Sequence, residues 1–140
     1  MRIFVDEMSH VPIDPWLVLR GIAAASNFAP DTYLGSNTGL LMVRRSDLSD
    51  LGYPGVPAFE ELNAEHQLPW IARVIAYRTA NTGGVAPTSV GDLAVLLMPA
   101  NPTITEIIRN EAERRAAERV SGSMYQYHAA LLQRVLEAQP

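Results

Sequence analysis

Histidine is the side chain best suited to proton transfer near neutral pH, and two of the three histidines in the sequence stand beside carboxylates. Glu7, His10 and Asp14 follow one another at spacings of three and four residues. A helix would bring all three to one face, where they could act as a general base or hold a metal ion. The alternating residues before them predict a strand ending at Asp6–Glu7, however, and a strand would separate them. We therefore interpret this cluster as a solvated turn.

A second cluster of carboxylates and histidine follows Pro57. This proline predicts the start of a short helix that runs through His66. On such a helix Glu61 and Glu65, four residues apart, face the same way and could bind a divalent cation. A solvated helix face has the same pattern, and the sequence indicates no further ligand. The solvated face is therefore our interpretation of this cluster too.

Other catalytic chemistry has little support in the sequence. There is no cysteine, which excludes disulfides, cysteine-based zinc sites and thiol nucleophiles. There is also no lysine, so the glycine-flanked segment 35–39 lacks the lysine of a phosphate-binding P-loop. Its serine does not have the spacing of a hydrolase nucleophile elbow. We expect no enzymatic activity, no cofactor, no metal site and no small-molecule substrate.

Length and composition predict a globular protein. The chain has 140 residues, of which 48% are hydrophobic and 19% are charged, and this predicts one domain over 1–140. Within it we distinguish a mixed part, 1–87, and a helical part, 88–140. The apolar stretches are shorter than the roughly 18 residues of a membrane span. Acids at positions 6 and 7 interrupt the apolar run that a signal peptide needs. We expect a cytoplasmic protein, neither secreted nor transmembrane.

The predicted fold is mainly α, with one small two-stranded β element near the N-terminus. Asp14–Pro15 is typical of a helix start, because Asp14 can cap the first N–H groups and Pro15 has no N–H to lose. We expect that helix to end near Asn27–Pro30. The β element would pair Arg2–Asp6 with Leu40–Arg44, across a turn at 35–39.

The segment 71–79 is ambiguous, because its apolar residues fit neither the helical nor the strand period. Pro69 before it suits the first position of a helix, and Gly83–Gly84 after it suits a helix end, so we favour a helix. A strand at this position would instead make the fold α+β. The segment therefore decides the fold class.

The C-terminal part shows the clearest helical pattern. Thr88 predicts the cap of a helix over 93–97, and Thr103 predicts the cap of a long helix ending near Val120. The long helix carries an apolar stripe of Ile104, Ile107, Ile108, Ala112 and Ala116. Residues 121–123 break it before a final helix. We expect these last two helices to form an αα-hairpin.

Residues 90–109 resemble a helix-turn-helix, with Ile104 and Ile107 as the apolar contacts of the second helix. The residues that would face a DNA groove are Thr103, Thr105, Arg109 and Asn110. The resemblance covers about twenty residues, and Met98–Pro99 stands where the turn usually has glycine. A net charge of −4 also disfavours nucleic acid.

The final helix carries more apolar and aromatic surface than its length requires. We expect a protein interface there, formed by Tyr125, His128, Leu131, Leu132, Val135 and Leu136. Our leading hypothesis is a non-enzymatic structural or interaction subunit of a larger homo-oligomeric assembly, such as a viral particle. A helix-turn-helix regulator is the alternative. A small enzyme using one of the carboxylate and histidine clusters comes third.

Overall fold

The computed structural model describes residues 5–6 and 13–138. Its helices over 13–138 are α1 (Pro15–Ser26), α2 (Arg45–Asp50), α3 (Ala64–Asn81), α4 (Val90–Leu97), α5 (Pro102–Arg119) and α6 (Ser123–Glu137). Its strands are β1 (Tyr33–Leu34), β2 (Asn37–Thr38) and β3 (Val43–Arg44). A single 3-10 turn, Phe59–Glu61, precedes α3. The prediction of a mainly α fold with a small β element near the N-terminus is confirmed.

Helix α1 begins and ends where the sequence predicts. The carboxylate of Asp14 accepts a hydrogen bond from the N–H of Trp16 at 3.0 Å, and Pro15 takes the first helical position. Asn27 ends the helix in the left-handed conformation, with φ 50°, which asparagine tolerates better than most residues. Helices α4, α5 and α6 all pack against α1. It is therefore buried along most of its length.

The β element is a three-stranded antiparallel sheet in the order β1-β2-β3. Strands β1 and β2 form a hairpin through Gly35 and Ser36, and Thr38 lies opposite both Tyr33 and Val43. The segment predicted as a turn, 35–39, thus contains the central strand. The sheet is built from neighbours in the sequence, so little chain entropy is lost in closing it.

Within the described residues, the strand at Leu40–Arg44 has a different partner from the predicted one. Part of that segment is β3, but β3 pairs with β2. Of the other predicted strand, Arg2–Asp6, Val5 and Asp6 are helical, and the rest lies outside the described residues. The hairpin supplies the pairing groups of β3 locally, so no distant strand is required.

Helix α3 settles the ambiguous segment, since 71–79 lies inside it and is helical. The helix begins earlier than Pro69 because the side chain of Asn63 caps it, accepting a hydrogen bond from the N–H of His66 at 3.0 Å. Pro69 therefore stands inside the helix rather than at its first position. The predicted end is confirmed, because the N–H of Gly84 bonds to the carbonyl of Thr79 at 2.9 Å.

The helical C-terminal part is confirmed, but its predicted caps are displaced by one or two residues. Ser89, not Thr88, caps α4, and Asn101, not Thr103, caps α5. Pro102 then occupies the first position of α5, where it loses no hydrogen bond. A short break before Ser123 separates α5 from α6, as predicted. The two helices pack against α1 more than against each other.

Gln67 ties the β-hairpin region to α3. Its side chain is fully buried, and its amide oxygen accepts a hydrogen bond from the N–H of Leu40 at 2.9 Å. Its amide nitrogen donates to the carbonyls of Pro30 at 2.8 Å, Phe59 at 3.1 Å and Leu62 at 3.1 Å. Apart from the Phe59 carbonyl, which also accepts a hydrogen bond from the N–H of Leu62 at 3.1 Å, these backbone groups lie outside the helices and strands. The network also fixes the ends of the segment that carries β1 and β2.

Candidate functional site

The second carboxylate cluster is not assembled as the sequence predicts. The expected helix from Pro57 to His66 is wrong, because the chain forms one 3-10 turn and then runs extended before α3 begins. Glu61 and Glu65 therefore belong to different elements and do not share a helix face. Of the first cluster, Glu7 and His10 lie outside the described residues. Its third member, Asp14, caps α1.

Within residues 5–6 and 13–138, no group of three or more histidine, aspartate or glutamate side chains could hold a metal ion. One carboxylate nevertheless has a strongly perturbed environment. Glu60 is mostly buried and accepts hydrogen bonds from both terminal nitrogens of Arg45, at 2.9 and 3.0 Å, and from the hydroxyl of Thr38 at 2.6 Å. The Arg45 guanidinium is the main cause that lowers the pKa of Glu60 to about 2. A carboxylate so stabilised stays ionised and braces the sheet against the 3-10 turn.

The predicted contacts within the helix-turn-helix segment are wrong. Helices α4 and α5 do follow one another through a short connection, but Ile104 and Ile107 are exposed instead of packing on α4. Gly91, on α4, has no side chain, and a Cβ there would lie 2.5 Å from Cγ of Arg109. Glu113 also accepts a hydrogen bond from the N–H of Gly91 at 2.8 Å. The face of α5 that carries Arg109 and Glu113 is thus the one against α4.

Because α5 places Arg109 and Glu113 against α4, the residues predicted to contact DNA have different surroundings from those of a helix-turn-helix. The half-buried guanidinium of Arg109 is paired with Asp92 at 3.1 Å and with Glu106 at 2.6 Å, so its charge is already neutralised. The hydroxyl of Thr105 donates to the carbonyl of Ala100 at 3.2 Å. Thr103 and Asn110 are exposed. DNA binding stays a prediction. In this fold Arg109 is ion-paired and is not a free cation for a DNA phosphate.

The predicted interface on α6 is partly inside the core of the chain itself. Leu132 is 0% exposed, so it cannot contact a partner in this fold. The other predicted interface residues, Tyr125, His128, Leu131, Val135 and Leu136, are half-buried. The ring of His128 stacks on Phe28, with centroids 4.2 Å apart, and burial lowers the pKa of His128. An interface on their remaining exposed surface stays a prediction.

An open apolar surface lies beside α5, the first of the two C-terminal helices. A groove of about 250 Å³ runs between α1, α4, α5 and the β-hairpin. We call it the α1–α4–α5 groove. The described residues that line it are Gly21, Ala24, Ala25, Leu34, Leu41, Met42, Val90, Leu93, Ala94, Leu97, Met98, Ile107, Ile108, Glu111, Ala112 and Arg115. Nearly all of them are apolar.

Several of the residues that line the groove have small side chains. Gly21, Ala24 and Ala25 line the α1 side, while Ala94 and Ala112 line the sides formed by α4 and α5. At Gly21 the packing is close, since a Cβ there would lie 2.8 Å from Cδ2 of Leu93 and 3.2 Å from Cδ1 of Leu41. Small residues three and four apart on one helix face are the signal in the sequence that could have indicated the groove.

Two large apolar side chains at the edge of the groove face solvent. Leu34, in the hairpin, is 78% exposed, and Ile107, on α5, is 60% exposed. Isolated exposed hydrophobic residues are ordinary in folded proteins, but apolar side chains that adjoin an apolar groove form a continuous patch. The patch includes both a concave part and a projecting part. Water covers it in the isolated chain at a cost in free energy.

The charged residues beside the groove are paired among themselves. Glu111 accepts hydrogen bonds from Arg114 at 2.5 Å and from Arg115 at 2.9 Å, and Arg114 also reaches Glu118 at 2.6 Å. The Arg114 contact is the main cause that lowers the pKa of Glu111 to about 2. The rim is therefore charged but locally balanced, with no cation or anion left to attract a strongly charged ligand.

A comparison of the chain with protein-family models, curated proteins and solved structures found no match. Among the described residues, no helix is both long enough and apolar enough to cross a membrane.

Proposed function

We propose that the protein is a non-enzymatic interaction subunit that binds a partner protein through the α1–α4–α5 groove. The observation that carries this proposal is the pair of exposed side chains, Leu34 and Ile107, beside an apolar groove. A protein surface that covers the patch removes all of this apolar area from water at once, which is the main driving force of protein association. The larger assembly expected from the sequence, a viral particle among the examples, stays a prediction.

A small-molecule ligand fits the same groove less well. Its volume of about 250 Å³ is below the roughly 300–1,000 Å³ typical of small-molecule sites. Such sites orient their ligand with a few polar groups, whereas the charged groups here, Glu111 and Arg115, lie 2.9 Å apart and bond to each other. A small ligand would also leave the outer surfaces of Leu34 and Ile107 in water. Apolar side chains from a protein partner match these properties better.

Photo-crosslinking in the cell of origin tests this proposal. A photoreactive amino acid replaces Ile107, and the matched control carries it at Val85, which is 77% exposed and does not line the groove. We expect a protein adduct of defined mass at position 107 and not at position 85. Because both positions are exposed, neither replacement should unfold the chain. Equal adduct patterns at the two positions, or none at all, would refute the proposed role of the groove.

A further inference from the structure

Methionine supplies all the sulfur of this chain, since the sequence has five methionines and no cysteine. Reactions at sulfur therefore take place on thioether groups. Met42, Met98 and Met124 belong to the described residues. Met42 and Met98 line the α1–α4–α5 groove, whereas Met124 lies on α6 and does not line it. Two of the three described methionines thus border the proposed binding surface.

The two methionines of the groove differ in their access to solvent. Met42 is buried in the core, with 9% of its surface exposed. Met98 is half-buried and stands at the C-terminal end of α4, where the exposed residues 99–101 follow it. A dissolved oxidant can therefore reach Met98, whereas the packing around Met42 shields its sulfur. Susceptibility of sulfur to oxidation follows its exposure, so Met98 is the more reactive of the two.

A peroxide converts a methionine thioether into the sulfoxide. The sulfur lone pair forms an S–O bond, and the O–O bond of hydrogen peroxide breaks. The hydroxide that leaves takes up a proton and becomes water, so the sulfur is oxidised and the peroxide is reduced. This reaction turns a flexible apolar side chain into a polar one that carries a hydrogen-bond acceptor. Methionine sulfoxide reductases restore the thioether, which makes the modification reversible.

The groove around Met98 offers few hydrogen-bond partners to a sulfoxide oxygen. Among the described residues that line it, Glu111 and Arg115 are those with nitrogen or oxygen in the side chain, and they bond to each other at 2.9 Å. Glu111 lies about two and a half helical turns beyond the start of α5, and Arg115 lies further on. Met98 stands four residues before that start. An apolar partner that covers the groove would therefore remove water from the sulfoxide without replacing it, which is unfavourable.

From these observations we infer that Met98 is a site of reversible oxidation that controls binding at the α1–α4–α5 groove. The thioether form of Met98 leaves the groove apolar and able to bind, and the sulfoxide form opposes binding. The oxidant is a peroxide, and a methionine sulfoxide reductase restores the binding form. This inference rests on the proposed function, since it adds a means of regulation to the same groove.

Oxidation of the purified full-length chain tests whether Met98 is reactive. The folded chain is treated with hydrogen peroxide, and peptide mass spectrometry follows the added oxygen at each methionine. We expect Met98 to be oxidised several-fold faster than Met42, while circular dichroism shows that the chain stays folded. Met124 is 41% exposed, so its oxidation shows that the reagent is active. A chain that is oxidised at Met124 but not at Met98 overturns the inference.

The effect on binding is measured with the photoreactive amino acid at position 107. Peroxide treatment of the cells should lower the adduct yield of the parent chain about fivefold or more, because a buried acceptor is left unpaired. Met98→Leu keeps an apolar side chain of similar volume that cannot be oxidised, so its adduct should survive. Met124→Leu, the matched control on α6, should lose its adduct as the parent does. Met98→Gln places an amide in the groove and should give a low yield without peroxide.

The outcomes separate the two proposals. If position 107 yields the same adduct before and after Met98 has been oxidised, the inference is overturned and the proposed function stands. Loss of the adduct from Met98→Leu as well as from the parent also overturns the inference, because the oxidised residue must then lie elsewhere. If position 107 yields no adduct beyond that of the Val85 control in untreated cells, the proposed function falls, and the inference that rests on it falls too.

Discussion

The last two helices carry similar apolar stripes, yet the fold treats them in opposite ways. On α6 the stripe turns inward, and Leu132 is fully buried within the core of the chain. On α5 the N-terminal end of the stripe turns outward, and Ile104 and Ile107 remain exposed. From the sequence we expected a protein interface on α6 and, in the helix-turn-helix reading, apolar contacts from Ile104 and Ile107. Burial removes Leu132 from that interface, and an interface at the half-buried residues of α6 stays a prediction.

The cause of this difference lies in what each helix packs against. α5 is held between α1 and α4, and its orientation there is set by polar contacts as well as apolar ones. Arg119 donates from one guanidinium nitrogen to the carbonyls of Ala23 and Ala24, at 2.8 and 2.9 Å, at the C-terminal end of α1. Glu113 bonds to the N–H of Gly91 on α4. These contacts hold one face of α5 inward and leave Ile107 on another.

The largest expected effect on stability comes from an alanine substitution on each apolar stripe, Leu132→Ala on α6 and Ile107→Ala on α5. Leu132→Ala should lower the free energy of unfolding by ~2–5 kcal/mol, because it removes a fully buried side chain and leaves a cavity. Ile107→Ala, the matched control on α5, should change it by less than about 0.5 kcal/mol, because the side chain is largely exposed. Urea unfolding at a protein concentration too low for association measures both. Equal losses for the two variants would contradict the described orientation of α5.

The next largest effect tests the close contact that orients α5. Gly91→Ala should destabilise the fold by ~1–3 kcal/mol, because the added Cβ would lie 2.5 Å from Cγ of Arg109 and 3.0 Å from its carbonyl oxygen. In an Arg109→Ala background the Cγ is absent, so the same change should cost less. Thermal unfolding of the single and double variants measures this coupling. Additive effects would show that α4 and α5 do not meet at Gly91.

A third test compares two carboxylates with similarly lowered pKa values in different surroundings. Glu60→Gln should lower the free energy of unfolding at pH 7 by about 2 kcal/mol, since the carboxylate is mostly buried and bonded to Arg45 and Thr38. Glu111→Gln should have a much smaller effect, because its partners are exposed and water screens the attraction.

The direction in which stability changes with pH follows from the lowered pKa of Glu60. The pKa of Glu60 is lowered from 4.5 to about 2, so the native state binds a proton there less readily than the unfolded state. The stabilisation is present above about pH 4.5 and is lost as the pH falls toward 2. Glu60→Gln should flatten the unfolding free energy over this range. A parent chain and a Glu60→Gln variant with parallel pH profiles would refute the assignment.

The smallest expected effect concerns the packing of α6. Burial lowers the pKa of His128 below its usual 6.5, so stability is present above that pH and falls as the pH drops through the lower value in the folded state. His128→Phe keeps an aromatic ring against Phe28 but cannot take up a proton. We expect the parent chain to lose stability on acidification below pH 6.5 and the variant to lose less. If both lose the same amount, the α6 contact is not sensitive to His128.

The elements that were predicted correctly depend on local signals. Asp14 and Pro15 start α1, and Gly83–Gly84 end α3, by interactions within a few residues. The caps of α4 and α5 also depend on local signals. Each helix start has two neighbouring polar residues that could cap it, and Ser89 and Asn101 do so instead of Thr88 and Thr103. The helix predicted from Pro57 to His66 does not form, because Pro57 is followed by a 3-10 turn and an extended segment before α3 begins.

The sequence alone determined where most helices form, because caps, prolines and apolar periodicity act over one or two turns. It also limited the chemistry, since a chain without cysteine or lysine lacks several catalytic and phosphate-binding groups. Only the tertiary structure decided which apolar stripe became core and which stayed open. That choice depends on contacts between residues far apart in the chain, such as Arg119 with the end of α1 and Arg109 with Gly91. Those contacts bind α5 to α1 and α4 in the orientation that leaves Ile107 exposed at the edge of the α1–α4–α5 groove.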